Sequence, residues 1–179
     1  MKTPRIQLLA LVGGLLTAGQ AFGEWQVWTT TKTRHVLRGD LPERVPAVRL
    51  AAARNEWESF QILLRSDVPV GAVRVDAGDL RGPGGAVLEG RHPRLFRQHQ
   101  LRLDAGTDRN EAFKPDWYPD PLIPFEHPVP GMKLEGARIR AVPFDLPAGE
   151  THGFWVDLHV PANAKPGQYD GTYRVTAAG

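Results

Sequence analysis

The chain has 179 residues, of which 22 are Lys or Arg and 20 are Asp or Glu, and it contains no cysteine. The lack of cysteine excludes disulfides and a lipid anchor on cysteine, so the fold depends on its apolar core alone. A domain of this size can bury such a core without covalent staples. The near balance of charges, with no basic cluster, argues against nucleic acid as a partner.

The first 23 residues have the pattern of a signal peptide. Lys2 and Arg5 form a short basic region, and the apolar run LLALVGGLLT follows at residues 8–17. This run is too short to span a bilayer, which takes about 20 apolar residues. The small residues Ala21 and Gly23 bracket a plausible cleavage site. We therefore expect residues 24–179 to form one periplasmic or secreted domain, with no formal net charge and no membrane contact once the signal is removed.

The rest of the chain predicts an all-β domain. Its 19 glycines and 16 prolines fall mainly between short segments with alternating apolar residues, which is the punctuation of consecutive strands. In ESFQILLR, for example, Phe60, Ile62 and Leu64 share one face of a strand. Many short strands favour two packed sheets, so we predict an antiparallel β-sandwich of the immunoglobulin-like or jelly-roll-like kind. The predicted strands cover residues 25–31, 47–53, 58–65, 72–76, 94–103, 138–144, 153–160 and 168–176.

Residues 104–133 interrupt this pattern and predict one long proline-rich loop. Loops of this length are usually functional or held down by a neighbour. The stretch DWYPDPLIPF within it places Trp117 and Tyr118 between Asp116 and Asp120. Aromatic rings beside carboxylates can bind a sugar, and they can equally dock another domain. Both interpretations stay open at this point.

The sequence gives little support for catalysis or metal binding. A glycosidase pair needs two carboxyl groups roughly 5 to 10 Å apart, which positions on a loop do not establish. The segment DAGTDRNE does not match the spacing of an EF-hand loop, and the six histidines are scattered. Ser59 and Ser66 lie outside any nucleophile elbow. We predict no catalytic residue, no metal and no cofactor, and expect solvated turn residues in the acids Asp104, Asp108, Glu111, Asp116, Asp120 and Glu126.

Three segments, RNEWESFQILLR, DWYPDPLIPF and PAGETHGFWVDLHVPANAKPGQYDGTYRV, occur in this order. Together they resemble the N-terminal β-sandwich domain of bacterial proteins related to family 123 glycoside hydrolases, from about Ala47 to Thr176. The resemblance implies a sandwich followed by a (β/α)8 barrel that holds the hydrolytic site. It also implies action on β-linked N-acetylgalactosamine by a substrate-assisted route, with an adjacent Asp-Glu pair of the barrel. No segment of this sequence matches the barrel, so no catalytic residue is carried over.

The resemblance favours an exported, non-catalytic domain that accompanies a glycosidase-like barrel, in cis or missing, and supports or shapes a glycan-binding cleft. For this chain alone we expect no enzymatic activity. The alternative is an autonomous carbohydrate-binding module. In it, Trp117 and Tyr118 form the stacking platform, and Asp116 or Asp120 accepts hydroxyl hydrogen bonds. An independent enzyme that uses the loop acids has the weakest support, because no other residue completes such a site.

Overall fold

The computed structural model describes residues 6–15, 25–90, 94–106, 110–129 and 131–178. Apart from a three-residue 3-10 turn at Pro83–Gly85, its regular elements are strands. No helix in these parts of the chain has the length and apolar character that crossing a membrane requires. The strands are β1 (Ile6–Leu15), β2 (Trp25–Thr31), β3 (Ala47–Ala52), β4 (Glu56–Ser66), β5 (Val70–Ala77), β6 (Leu80–Arg81), β7 (Val87–Leu88), β8 (Arg94–Leu103), β9 (Asp116–Pro124), β10 (Phe144–Leu146), β11 (His152–Val160) and β12 (Gln168–Thr176).

The strands form two sheets. The first has the order β10-β5-β12-β1-β3, with β6 beside β12 and β7 beside β6. The second has the order β2-β4-β11-β8-β9. Neighbours run antiparallel except β1 and β12, which are parallel. The all-β sandwich predicted from the sequence is therefore confirmed.

The core lies between the two sheets and follows the period of two in the sequence. On β4, Phe60, Ile62 and Leu64 are buried against the first sheet, as their alternation predicts. The rings of Phe60 and Tyr173 meet edge to face across the core, with centroids 5.3 Å apart. Leu63 points the other way and is buried with Trp28 and Val36 under the segment that follows β2. Strand β4 is thus covered on both sides, which explains why Leu63 breaks the alternation of its apolar residues.

The predicted loop at residues 104–133 needs a correction, because Asp116–Pro124 forms β9, the edge strand of the second sheet. The described residues before and after it, 104–106, 110–115, 125–129 and 131–133, lie outside strands. Proline cannot donate a ladder hydrogen bond, but an edge strand leaves half of its backbone unpaired and tolerates this loss. The three prolines Pro119, Pro121 and Pro124 led to the prediction of a loop, but they are compatible with an edge strand.

Of the other predicted strands, one is wrong and the rest agree closely with the structure. Strands β2, β8 and β12 have the predicted bounds, and β3, β4, β5 and β11 differ from prediction by only one or two residues at their ends. The predicted strand at residues 138–144 is wrong, because only Phe144–Leu146 forms β10. Pro143 directly before it lacks the amide hydrogen that pairing needs. The two-residue strands β6 and β7 are too short to give a periodic signal.

Strand β1 comes from the segment that the sequence predicts to be the apolar run of a signal peptide. It pairs with β12 from Gln7↔Gln168 to Leu15↔Thr176 and with β3 from Ile6↔Ala52 to Leu11↔Ala47. In the uncleaved chain, this segment therefore fills the space between β12 and β3. The signal peptide itself stays a prediction. Cleavage after residue 23 would leave two strand edges facing an empty position in the first sheet.

Candidate functional site

Strands β8 and β9 continue past the rest of their sheet as a two-stranded arm. Strand β11 pairs with β8 only as far as Gln98, whereas the β8–β9 pairing continues to Leu103↔Asp116. We call residues 100–103 and 116–119 the β8–β9 arm. Tyr118 is opposite Leu101 and Trp117 is opposite Arg102. Since opposite residues in an antiparallel pair share a face, the two predicted aromatic residues lie on opposite faces of the arm.

The ring of Trp117 is half-buried and already has a partner. The guanidinium carbon of Arg38 lies 3.5 Å from the Trp117 ring centroid. Arg38 is fixed by a hydrogen bond from its Nε to Gln100 Oε1 at 2.7 Å and by an ion pair with Glu150 at 3.4 Å. One face of the predicted stacking platform is therefore occupied by a cation of the same chain.

Tyr118 is held in a comparable way on the other face of the arm. Its ring stacks on Phe113, with centroids 5.7 Å apart and an interplanar angle of 15°. Its hydroxyl donates a hydrogen bond to the Lys114 carbonyl oxygen at 2.8 Å. A Cβ on Gly106 would lie 2.7 Å from the Phe113 ring, so this glycine permits the close approach. The described part of the segment between β8 and β9 thus folds back onto the arm.

The predicted aspartates take different positions. Asp116 accepts a hydrogen bond at Oδ1 from the Trp117 backbone N–H at 2.6 Å, which is a local backbone contact. Asp120 is exposed, next to an irregularity in the β8–β9 pairing. Asp108 lies outside the described residues. Within the described part of the chain, no group of three or more histidine or acidic side chains could hold a metal ion.

The described structure concentrates exposed apolar side chains on and beside the arm. Leu101 and Leu103 are 40% and 39% exposed on the face that also bears Tyr118. Further exposed apolar residues follow along the chain, on β9 and in the segment after it. Exposed apolar patches of this kind mark interaction surfaces more often than not. The large exposed residues of this region are Leu101, Leu103, Leu122, Val129, Met132, Leu134 and Ile139.

A partly buried polar cluster joins the base of the arm to the core. His152 Nε2 lies 2.9 Å from Glu150 Oε2, and the His152 ring is 5.8 Å from the Phe144 ring. Burial lowers the pKa of His152, and the hydrogen bond and charge of Glu150 oppose this shift. The Arg97 guanidinium covers the Phe144 ring at 4.5 Å. Glu150 therefore connects Arg38 on one side of the sheet with His152 on the other. The spacing of these residues in the sequence did not predict this connection.

The outer face of the second sheet carries aromatic residues that the sequence reasoning did not select. Trp57 is 43% exposed, and its ring centroid lies 4.7 Å from that of His159 and 4.7 Å from the Arg94 guanidinium carbon. Asp157 Oδ1 accepts hydrogen bonds from Ser59 Oγ and Trp155 Nε1, both at 2.6 Å. The alternation in FWVDLHV gave the available signal, because it puts Trp155, Asp157 and His159 on the face opposite the core. We call this surface, formed by Trp57, Ser59, Arg94, Trp155, Asp157 and His159, the Trp57 face.

The two sheets and these contact surfaces define a β-sandwich domain with exposed aromatic and apolar faces. Residues 28–177 match the family model of the glycoside hydrolase 123 N-terminal domain. The chain therefore belongs to this family, and the resemblance stated from the sequence is confirmed.

A solved structure agrees on the fold. The chain is similar to a family 123 glycoside hydrolase from Clostridium perfringens, which was solved to explain glycolipid glycan hydrolysis, with a TM-score of 0.62 and 15% identity. The likeness covers 86% of this chain and 24% of that one. At this identity it shows the fold alone, and this chain spans about a quarter of the length of that enzyme. No curated protein matches the sequence.

Proposed function

We propose that this chain is an exported, non-catalytic β-sandwich domain that accompanies a glycoside-hydrolase-like barrel and supports or shapes its glycan-binding cleft. Membership of the glycoside hydrolase 123 N-terminal domain family supports a catalytic domain in the same protein. The observation that carries the proposal is the apolar surface on one face of the β8–β9 arm, where Leu101 and Leu103 are exposed beside Tyr118. This surface is the contact that we assign to the barrel.

The geometry of the arm explains why it needs a partner. Past Gln98 the strand β8 pairs only with β9, and Leu101 and Leu103 in this part of β8 are 40% and 39% exposed. Burying apolar area contributes about 25 cal/mol per Å². A neighbouring domain that covers Leu101, Leu103 and Tyr118 gains this stabilisation, whereas the isolated chain leaves the two leucines exposed to water.

The contacts of Trp117 give this surface a defined shape. Arg38 holds the ring on one face of the arm and is tied to Glu150, which in turn contacts His152 beside the core. A movement of the arm would break contacts that reach into the sandwich. The domain is therefore suited to act as a rigid support beside a cleft.

The autonomous carbohydrate-binding module is the second function that the sequence suggests. Arg38 already covers one face of Trp117, and Phe113 stacks on Tyr118. A sugar at these residues would have to use the opposite ring faces or displace these partners. The sugar-binding role of Trp117 and Tyr118 stays a prediction, and binding of a glycan that survives Trp117→Ala would remove that assignment.

An activity assay tests whether the chain is catalytic. We expect the purified 179-residue chain to release no product from a chromogenic β-N-acetylgalactosaminide. Hydrolysis that is lost in Asp120→Asn would contradict the proposal. Asp76→Asn is the matched control, because Asp76 is an exposed acid on β5 in the other sheet.

A second experiment tests the contact with the barrel in a protein of this family that carries both domains. We expect Leu101→Glu, introduced into this domain when it is joined to the barrel, to increase cleavage between the domains in limited proteolysis. Val87→Glu provides the control, since Val87 is 42% exposed on β7 in the other sheet. Equal proteolysis of the two variants would rule out the arm as the contact.

A further inference from the structure

The Trp57 face lies on the opposite side of the second sheet from the core and is separate from the arm contact just proposed. Trp57 is on β4, while Arg94 is on β8, and β11 runs between these strands. Backbones two strands apart are about 10 Å from each other. Because the Trp57 ring contacts both His159 on β11 and Arg94 on β8, it extends across the sheet. The Trp57 ring is therefore held in place by His159 and Arg94, although the residue is 43% exposed.

The polar groups of this surface are also fixed. Ser59 Oγ and Trp155 Nε1 both donate to Oδ1 of Asp157, so the carboxylate and the Trp155 indole are oriented together. Oδ2 of Asp157 receives neither of these two hydrogen bonds. The surface thus combines a supported aromatic ring with an oriented acceptor and the cationic side chain of Arg94.

We propose that the Trp57 face is a glycan-binding site that takes a pyranoside. The C–H face of a sugar ring packs on the part of the Trp57 side chain that stays exposed beside His159 and Arg94, as amphipathic aromatic side chains allow. Hydroxyl groups of the sugar donate to Oδ2 of Asp157 and accept from Arg94. A few placed polar groups around an apolar surface are what orient a small polar ligand in a protein site.

The composition of the surface favours a glycan over a second protein domain. The centre of a protein–protein contact is depleted in charged residues, which lie at its rim. Here Asp157 lies between the two tryptophans along β11, and Arg94 contacts the Trp57 ring. An apolar protein surface that covered these charged groups would remove their hydration at a cost in free energy. Sugar hydroxyls can instead form hydrogen bonds to Asp157 and Arg94 in place of the displaced water.

The spacing of the aromatic rings predicts the length of the ligand. Trp57 is opposite His159 on β11, and Trp155 is four residues earlier on the same strand. At the rise of a strand, these positions are about 13 Å apart. A single pyranose ring contacts one tryptophan at a time, so an oligosaccharide is expected to bind more tightly than a monosaccharide.

Nuclear magnetic resonance on the full chain tests this site, because its five tryptophans give only five indole N–H signals. The probes are methyl β-galactoside and lacto-N-neotetraose, a linear β-linked oligosaccharide. We expect the indole signals of Trp57 and Trp155 to shift, with the larger affinity for the oligosaccharide, and the Trp117 signal to stay in place.

Matched variants complete the test. Trp57→Ala should weaken binding about tenfold, the factor that corresponds to one aromatic contact of ~1.4 kcal/mol. Trp57→Phe keeps a smaller ring and should restore part of the affinity, while Trp117→Ala should leave it unchanged. Absence of indole shifts with both probes, shifts confined to Trp117, or unchanged binding by Trp57→Ala would overturn the site. None of these results bears on the arm contact, which is tested by proteolysis of the two-domain protein.

Discussion

The guanidinium carbon of Arg38 lies 3.5 Å from the centroid of the Trp117 ring, and this contact fixes the outer face of the β8–β9 arm. The two residues come from segments far apart in the chain, one between β2 and β3 and the other on β9. Arg38 also contacts Gln100 on β8 and Glu150 just before β11, so it joins both strands of the arm to the segment that leads into β11. The predicted sugar platform is therefore part of a structural network.

Arg38→Ala should lower the free energy of unfolding by about 1–2 kcal/mol, because it removes the cation–π contact and a hydrogen bond to the buried Gln100. Urea unfolding followed by tryptophan fluorescence measures this change. Arg44→Ala is the control, since Arg44 is exposed in the same segment. Equal effects of the two substitutions would show that the Trp117 contact contributes nothing to stability.

The two buried tyrosines of β12 should respond differently to loss of their hydroxyl. Tyr169 donates from its hydroxyl to the Lys165 carbonyl oxygen at 2.9 Å, whereas the Tyr173 hydroxyl is buried with no hydrogen-bond partner among the described residues. Burial also raises the pKa of Tyr173 far above its usual value. A buried hydroxyl without a partner retains its desolvation cost, and removing it removes that cost.

Tyr173→Phe is therefore expected to leave the free energy of unfolding unchanged or to raise it by up to about 1 kcal/mol, while Tyr169→Phe lowers it by about 1 kcal/mol. Parallel urea titrations of the two variants give the comparison. A loss of stability in Tyr173→Phe as large as that in Tyr169→Phe would show that the Tyr173 hydroxyl has a partner.

Stability should fall on the acid side because of His152. Burial lowers the pKa of this side chain in the folded state, despite the opposing effect of Glu150, so the unfolded chain binds the proton more readily. The contribution of neutral His152 is present above the unfolded pKa of about 6.5 and is lost as the pH falls through the lower folded pKa.

Urea unfolding above and below about pH 6.5 measures this dependence. His152→Gln removes the titrating group and should make the decline shallower, whereas the exposed His35→Gln should reproduce the parent curve. Identical slopes for His152→Gln and the parent chain would assign the acid sensitivity to other groups.

Removal of the predicted signal peptide should change the first sheet selectively. Strand β1 pairs with β12 and β3, so a chain that begins at residue 24 loses both pairings. Hydrogen exchange should then speed up in β3 and on β12, while β4 and β11 in the second sheet keep their protection. Unchanged exchange in β3 and β12 would mean that these two strands close the gap or that β1 does not pair with them.

The sequence predicted the sandwich because its core strands alternate regularly. On β4 and β11 the period of two separates Phe60, Ile62, Phe154 and Val156 from the outer residues, and this separation survives packing. The prediction was wrong at β9, because its prolines indicate a loop unless the strand is known to lie at the edge of a sheet. It also missed the partner of Trp117, because a contact with Arg38 depends on how a distant segment crosses the sheet.

The Trp57 face shows the same limit for a candidate site. Alternation placed Trp155, Asp157 and His159 on the outer side of β11, but it could not place Trp57 and Arg94 beside them. That arrangement depends on the order β4-β11-β8, which a single sequence does not reveal. The adjacent aromatic pair Trp117 and Tyr118 drew attention by sequence proximity, although the two residues lie on opposite faces of a strand.

Hydrogen exchange at the β8–β9 arm measures whether a family barrel covers this surface. The amides of residues 100–103 and 116–118 would be compared between the 179-residue chain and a protein in which a family barrel follows this domain. We expect markedly slower exchange of the arm in the longer protein, with no change in β5 of the opposite sheet. Equal exchange of the arm in both proteins would contradict the assignment of this surface to the barrel.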